Sequence, residues 1–242
     1  SSHIKNAFLN GFFRKNDCYY KKQSNFTDSG ISKGGLVLPR DKTANHIKIM
    51  AAAREEFLEM GFEKASMRSI ADRCQMTAAG IYRHCRDKED LFYQLVSPAV
   101  EKLMYWLEMH VSEYEEPAKK HKEITWKDSY IDMMRDIVYP NMEDYYLLIV
   151  CSKGTKYENF LNDMTEKAQN KIMLFMDELR GNGLDIPKIT HSQLHLLLTA
   201  YITALFEPVV HNYSYEEANL ALEALEDFFL PGWKKLMGFK DN

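Results

Sequence analysis

From Asp41 onward, apolar residues recur at helical spacing and are cut by residues that start and stop helices. Ile49, Met50, Ala53, Phe57 and Met60 fall on one face of a helix that begins near Asp41 and Thr43, both N-cap types. Gly61 follows in the place where a helix C-terminus takes a left-handed residue. Ser66 then caps a short helix from Met67 to Arg73. Cys74-Gln75-Met76 makes a tight connection, and Thr77 caps a second short helix over 78–85. Asp87 opens a fourth helix at Lys88-Glu89-Asp90-Leu91-Phe92. Further helices are expected near 88–114, 124–138, 142–150, 155–180, 190–211 and 215–237. The breaks carry Pro117, Pro140, Gly154, Gly181-Asn182-Gly183, Pro187 and Pro231-Gly232. No stretch alternates in the manner of a half-buried strand, and no internal repeat is present, so the pattern predicts an all-α fold.

Composition changes this picture little; charge distribution changes it more. The 242 residues are 45% apolar and 27% charged, ordinary values for a soluble protein with a real core. No apolar run approaches the roughly 20 residues that span a bilayer, and no secretory signal opens the chain, so a cytoplasmic protein without membrane attachment is the expectation. The net charge is −4. Residues 1–96 carry 16 Lys+Arg against 11 Asp+Glu, whereas residues 97–242 carry 15 against 24. Only the front of the molecule is therefore suited to approach phosphate, and most of its excess lies in residues 1–40. That segment has no lasting helical period and contains the linker-like Ser29-Gly30-Ile31-Ser32-Lys33-Gly34-Gly35. It reads either as a disordered extension or as a basic arm carrying Arg14, Lys15, Lys21, Lys22 and Lys33. Cys18, Cys74, Cys85 and Cys151 form no C-x-x-C pair, which argues for packed, reduced thiols over a disulfide framework or a zinc site.

The segment from Ser66 to Cys85 carries the chemistry. Ile70 and Ala71 bury the first short helix, Ala71 being small where two helices cross closely. Met76 fills the corner, and Ile81 buries the second helix. Thr77, Ala78, Gly80, Tyr82, Arg83 and His84 are left on its outer side, on a rod slim enough for a major groove about 12 Å wide. The Thr77 hydroxyl and the helix-start N–H groups suit a phosphate. Tyr82 and Lys88 are placed to clamp phosphates on either side. Arg83 is the helix's one long bidentate donor and the best candidate reader of guanine, while Ala78 and Ala79 suit thymine methyls and His84 a base or phosphate. Thr43, Ser66 and Met67 complete the candidate DNA-contact set.

From about Thr43 to Phe92 the sequence resembles the TetR family of bacterial regulators. The resemblance is carried by Ala53 with Phe57, Gly61-Phe62, Ser66-Met67-Arg68-x-Ile70-Ala71, Gly80-Ile81-Tyr82-Arg83-His84 and Asp87-Lys88-Glu89-x-Leu91-Phe92. It departs from the pattern at Gln75, where Gly is usual, and at Cys85, where Phe is usual. The resemblance implies a residue 41–92 helix-turn-helix DNA-binding domain of three helices. A larger helical effector-binding and dimerisation domain, 93–242, would follow. It further implies a ligand-responsive regulator, most naturally a repressor, that binds a pseudo-palindromic double-stranded DNA operator as a homodimer. Its last two long helices would pair with their mates. Leu198, Ile202 and Leu205 in one helix and Leu225, Phe228 and Phe229 in the next are the candidate interface. Leu197, Ala200 and Ala204 continue the first helix's apolar surface around its other side.

The effector would be a largely apolar small molecule. Tyr105, Trp106, Met109, Met133, Met134, Tyr145, Tyr146, Met164 and Phe175 are candidate lining, though for each one taken singly ordinary core packing is the stronger reading. His191 and His195 lie one turn apart, a spacing able to hold a metal. The hydrolytic H-E-x-x-H pattern needs Glu where Ser192 stands, so neither a metal, a cofactor nor an enzyme is expected. The competing reading is a helical small-molecule binding protein without sequence-specific DNA recognition.

Overall fold

The computed structural model describes residues 42–119, 132–183 and 185–238, with side chains for all of these except 42, 43 and 108–119. The basic extension, Cys18, the side chains of Thr43 and Met109, and most of the helix expected at 124–138 lie outside the described residues. The described residues form helices joined by turns and irregular connections, with no strand among them. Helix α1, Lys42–Lys64, follows its regular course to Gly61, which takes φ 69° and ψ 162°, a left-handed excursion that only glycine makes cheaply. Helices α2 (Met67–Arg73), α3 (Ala78–Ile81) and α4 (Lys88–Lys119) follow. A π-helical turn, Met134–Val138, runs into a 3₁₀ turn, Tyr139–Asn141, and then into α5, Met142–Ile149. Helices α6 (Phe160–Gly181), α7 (His191–Val210) and α8 (Tyr215–Leu236) complete the order.

Pro117 and Pro231 do not break their helices: α4, expected to end near 114, runs on to Lys119, and α8, expected over 215–237, passes through Pro231-Gly232. Residues 155–159, expected as helix, form turns closed by the Thr155 hydroxyl, which donates to the Ser152 carbonyl at 2.7 Å. The last two helices start on the caps expected of them. Thr190 with Gln193, and Ser214 with Glu217, make reciprocal capping boxes at the heads of α7 and α8.

The N-terminal core is apolar and partly aromatic. Ile49, Ala53, Phe57, Ile70, Ile81, Leu91 and Phe92 are buried. Phe57, Phe62 and Phe92 meet with ring centroids 5.2–5.9 Å apart, two of the three pairs edge to face. Helix α4 runs without interruption past residue 92, so its buried Leu95, Val96, Ala99, Val100 and Leu103 continue this core into the C-terminal helices. There α5 packs against α4, α6 and α7, and α7 lies against both α6 and α8. By length and mean hydropathy α7 would suffice to cross a membrane, but 44% of it is buried inside this fold. That is the expected property of a helix that is apolar nearly all round and packs on two sides.

Candidate nucleic-acid interface

Each part of the helix-turn-helix is fixed by a named bond. At the head of α2 the Ser66 hydroxyl accepts from the Ser69 N–H at 3.1 Å. Beneath it lies Glu56 of α1, only 3% exposed. Its carboxylate accepts from the Ser66 N–H (3.3 Å), the Ser69 hydroxyl (2.6 Å) and Arg73 Nε (2.9 Å). The guanidinium of Arg73 also pairs with Glu59 and lies 3.6 Å from Glu55. One carboxylate thus ties both ends of α2 to α1. Burial pushes the Glu56 carboxyl up, but the bonds from Ser69, Arg73 and the Ser66 N–H outweigh it and hold its pKa below the ordinary value.

The turn is made by Met76 N–H donating to the Ala71 carbonyl at 2.9 Å and Gln75 N–H to that of Asp72 at 3.2 Å. It places Gln75 at φ 54°, the left-handed region in which glycine is the usual occupant. The departure at Gln75 therefore leaves the turn intact and is tolerated at a conformational cost of about 1 kcal/mol. Thr77 caps α3, its Oγ1 accepting from the Gly80 N–H at 3.1 Å. A Cβ at Gly80 would meet Met76 Cε and Thr77 Oγ1 at 3.3 Å each, so the helix closes tightly on the corner residue. The rod expected over 77–84 is shorter as regular helix. It is α-helical over Ala78–Ile81 and then turns through 82–84 while the Ile81 carbonyl still accepts from the His84 and Cys85 N–H groups.

The structure brings most of the sequence-derived set onto this outer surface. Ser66, Thr77, Ala79, Tyr82 and Arg83 are exposed, while Met67, Ala78, Gly80 and His84 are half-buried. The Thr77 oxygen accepts from its own helix and so keeps its O–H to donate elsewhere. Lys88 is the correction. Its ammonium donates to the carbonyls of Phe62 (2.7 Å), Ala65 (2.9 Å) and Glu63 (3.3 Å) and sits 4.4 Å from the Phe62 ring centroid. Its three N–H donors are spent closing the C-terminal end of α1. Cys85 is buried, and burial first, then nearby Asp90 and Asp87, push its thiol up to about 11; it packs where a larger side chain is usual and is inert.

Sequence reasoning missed three things here. Glu56 was legible as an acidic residue one turn from Ala53 on the apolar face of α1, which is unusual enough to demand partners. Arg68 is an exposed cation on α2. His46 of α1 stacks on His84, with centroids 6.2 Å apart, a contact without a local sequence signal.

The candidate ligand lining does not converge on one site. Tyr145 is fully buried and its hydroxyl donates to the Ala99 carbonyl at 2.9 Å. Met133 and Met134 are buried core, Phe175 packs against Met176, Leu179, Ile186 and Met237, and Tyr105 is 67% exposed. Trp106, Tyr146 and Met164 are half-buried. The candidate interface also divides. Leu198, Ile202 and Leu205 face their own core, and Phe229 lies against Tyr201 and Trp233. Leu225 is half-buried, whereas Phe228 is 79% exposed. The stripe read from α7 was its inward one, because the most regular apolar spacing marks the face packed on two neighbours. His191 and His195 are occupied by the buried Gln169. Its amide nitrogen bonds the His191 carbonyl (2.8 Å) and ring (3.2 Å), and its oxygen lies 3.1 Å from the His195 ring nitrogen. Among the described residues no group of three His, Cys, Asp or Glu is placed to hold a metal.

A capped α2, a tight left-handed turn and a short α3 with an exposed outer surface define a helix-turn-helix DNA-binding protein. Residues 49–95 match the family described as bacterial regulatory proteins, tetR family, and the matched stretch is the helix-turn-helix segment just described, from within α1 into α4. No curated protein sequence matches it. Among solved structures it is similar to SCO3833, a member of the TetR transcriptional regulator family from Streptomyces coelicolor A3. That pair is 14% identical over 90% of this chain and 98% of the other, with a TM-score of 0.49. It is also similar to the TetR family regulator PfmR from Thermus thermophilus (16% identical, 81% and 97% covered, TM-score 0.46). A third is the transcriptional regulator FadR from Bacillus subtilis, in complex with stearoyl-CoA (19% identical, 74% and 97% covered, TM-score 0.41).

Proposed function

We propose that this chain is a homodimeric, ligand-responsive repressor that reads a pseudo-palindromic operator with α3. Residues 41–92 would form its DNA-binding part and 93–242 its effector-binding and dimerisation part. The observation that carries the reading is the exposed surface of Thr77, Ala79, Tyr82 and Arg83 on a helix whose cap and turn are fully bonded. Thr77, Tyr82 and Ser66 would hold phosphates, and Arg83 would donate to a guanine edge. Lys88 has no part in this beyond holding α1.

Dimerisation is supported by apolar residues turned outward on the last two helices. Leu196, Leu197 and Ala200 are exposed on α7, and Leu220, Ala224 and Phe228, spaced one turn apart, are exposed on α8. Such surface is more than scattered single residues. Two copies joined there would present two α3 helices to successive major grooves about 34 Å apart. An unbiased selection of random duplexes with the purified protein tests the reading. Recovery of an inverted repeat, bound less tightly as salt rises, is the expected result. Recovery of no shared motif would leave the competing reading, a helical small-molecule binder without sequence-specific recognition.

A further inference from the structure

We infer that the junction of α1, α5 and the end of α7 is a binding site for a small organic cation with an apolar body. A cavity of about 430 Å³ lies there, lined by Leu58 of α1, Met142, Glu143 and Tyr146 of α5, and Val209, Val210, His211 and Asn212 where α7 ends. The volume is in the range that holds small organic ligands. Leu58, Met142, Val209 and Val210 supply apolar walls and Tyr146 an aromatic one.

The charges at this cavity favour a cation. Arg54 is the guanidinium of α1 that faces α5, and it meets two carboxylates. It pairs closely with Asp144, while Glu143 stands 3.5 Å off and largely in solvent. One positive group therefore faces two negative ones, and Glu143 is the surplus carboxylate lining the cavity. His211 is 2.8 Å from Glu207, so whichever form its ring takes, the pair adds no net positive charge. The C-terminal end of α7 opens on the same space, and helix C-termini carry partial negative charge. An ammonium beside Glu143 and the α7 terminus, with its body against Leu58 and Tyr146, satisfies every feature; a carboxylate head would be repelled.

The position gives binding a consequence. The cavity wall is shared between α1, which carries α2 through Glu56, and α5, which is tied to α1 by Arg54. A second tie lies just beyond, where the Phe62 N–H donates to the Cys151 carbonyl at 2.8 Å. A guest that draws Glu143 toward itself and parts Leu58 from Tyr146 moves α1 against α5, and α3 with it. This consequence rests on the regulator proposed above; the site itself does not.

The experiment uses the full chain and three probes with one body: 4-butylbenzylamine, 4-butylbenzyl alcohol and 4-butylbenzoate. Calorimetry without DNA should show the amine binding most tightly. Glu143→Gln, a change at an exposed position, should weaken the amine about threefold while leaving the alcohol unchanged. Leu58→Trp should push an indole into the cavity and weaken binding of both. Equal or tighter binding of the benzoate, or amine binding indifferent to both substitutions, overturns the site. A gel shift on the selected duplex then tests the coupling alone. If the amine binds with Glu143 dependence but does not release DNA, the site stands and the ligand-responsive reading falls.

Discussion

Residues 42–95 and the helices beyond them are held in place by different kinds of force. In the first stretch, polar side chains fasten backbone to backbone. Ser66, Thr77 and Asp87 cap their helices, Glu56 gathers three donors, and Lys88 gathers three acceptors. Hydrogen bonds are directional, so this network fixes α3 in angle as well as in distance. In the second stretch polar side chains cap α7 and α8 and join helices at a few points, Tyr145 on the Ala99 carbonyl and Gln169 on His191 and His195 among them. The rest is apolar packing of α7 between α6 and α8, with Leu194, Leu198, Tyr201, Leu205 and Phe206 buried. Packing without direction lets helices shift by small amounts. A reader of DNA needs the first property, and the guest-driven movement proposed above would need the second.

Substitutions can sharpen that contrast. The largest effect is expected in the packed stretch. Leu198→Ala empties a buried site and should cost about 3 kcal/mol in urea unfolding, whereas Phe228→Ala, one exposed aromatic on the neighbouring helix, should leave protomer stability within about 0.5 kcal/mol. Phe228→Asp should instead lower the association state in sedimentation, and equal damage from both sites would refute the division into inner and outer faces. Next comes Glu56→Ala, expected to cost about 2 kcal/mol, since Arg73 keeps Glu59 and Glu55 while the Ser69 hydroxyl and Ser66 N–H lose their acceptor.

The same carboxylate predicts a pH dependence. Its folded pKa is depressed, so the stability it supplies is present above its ordinary value of 4.5 and is lost as pH falls through the folded value. The gap in melting temperature between the wild type and Glu56→Gln should be constant near neutrality and close as the pH is taken below 4.5. A gap that widens in acid would reverse the sign. The smallest effect is a gain: Gln75→Gly relieves a left-handed residue and should raise stability by about 1 kcal/mol without altering the turn.

The two stretches also differ in how far the sequence discloses them. Caps and the left-handed turn are local: Ser66, Thr77, Asp87 and Gly61 are each legible from a few neighbours, and each does in the structure what its type implies. What could not be read locally is what meets across the fold. Lys88 looks like a phosphate clamp until Phe62, Glu63 and Ala65 arrive 23 to 26 residues away to take its protons. His191 and His195 look like metal ligands until Gln169 comes from the facing helix. Leu198, Ile202 and Leu205 show a correct helical period. A period tells which residues share a face but not whether that face meets the same chain or a second copy. The cavity at α1, α5 and α7 draws on three segments far apart in sequence, and only Tyr146 of its lining was among the candidates.

Hydrogen exchange of the full chain, measured with and without a duplex recovered by selection, addresses the role of α3 most directly. Amides in 66–84 should become markedly protected when the selected duplex is present, and Arg83→Ala should remove that protection on the selected duplex while leaving weak protection on any DNA at low salt. Unchanged exchange over 66–84 alongside tight binding, or full protection in Arg83→Ala, would contradict DNA reading by this helix.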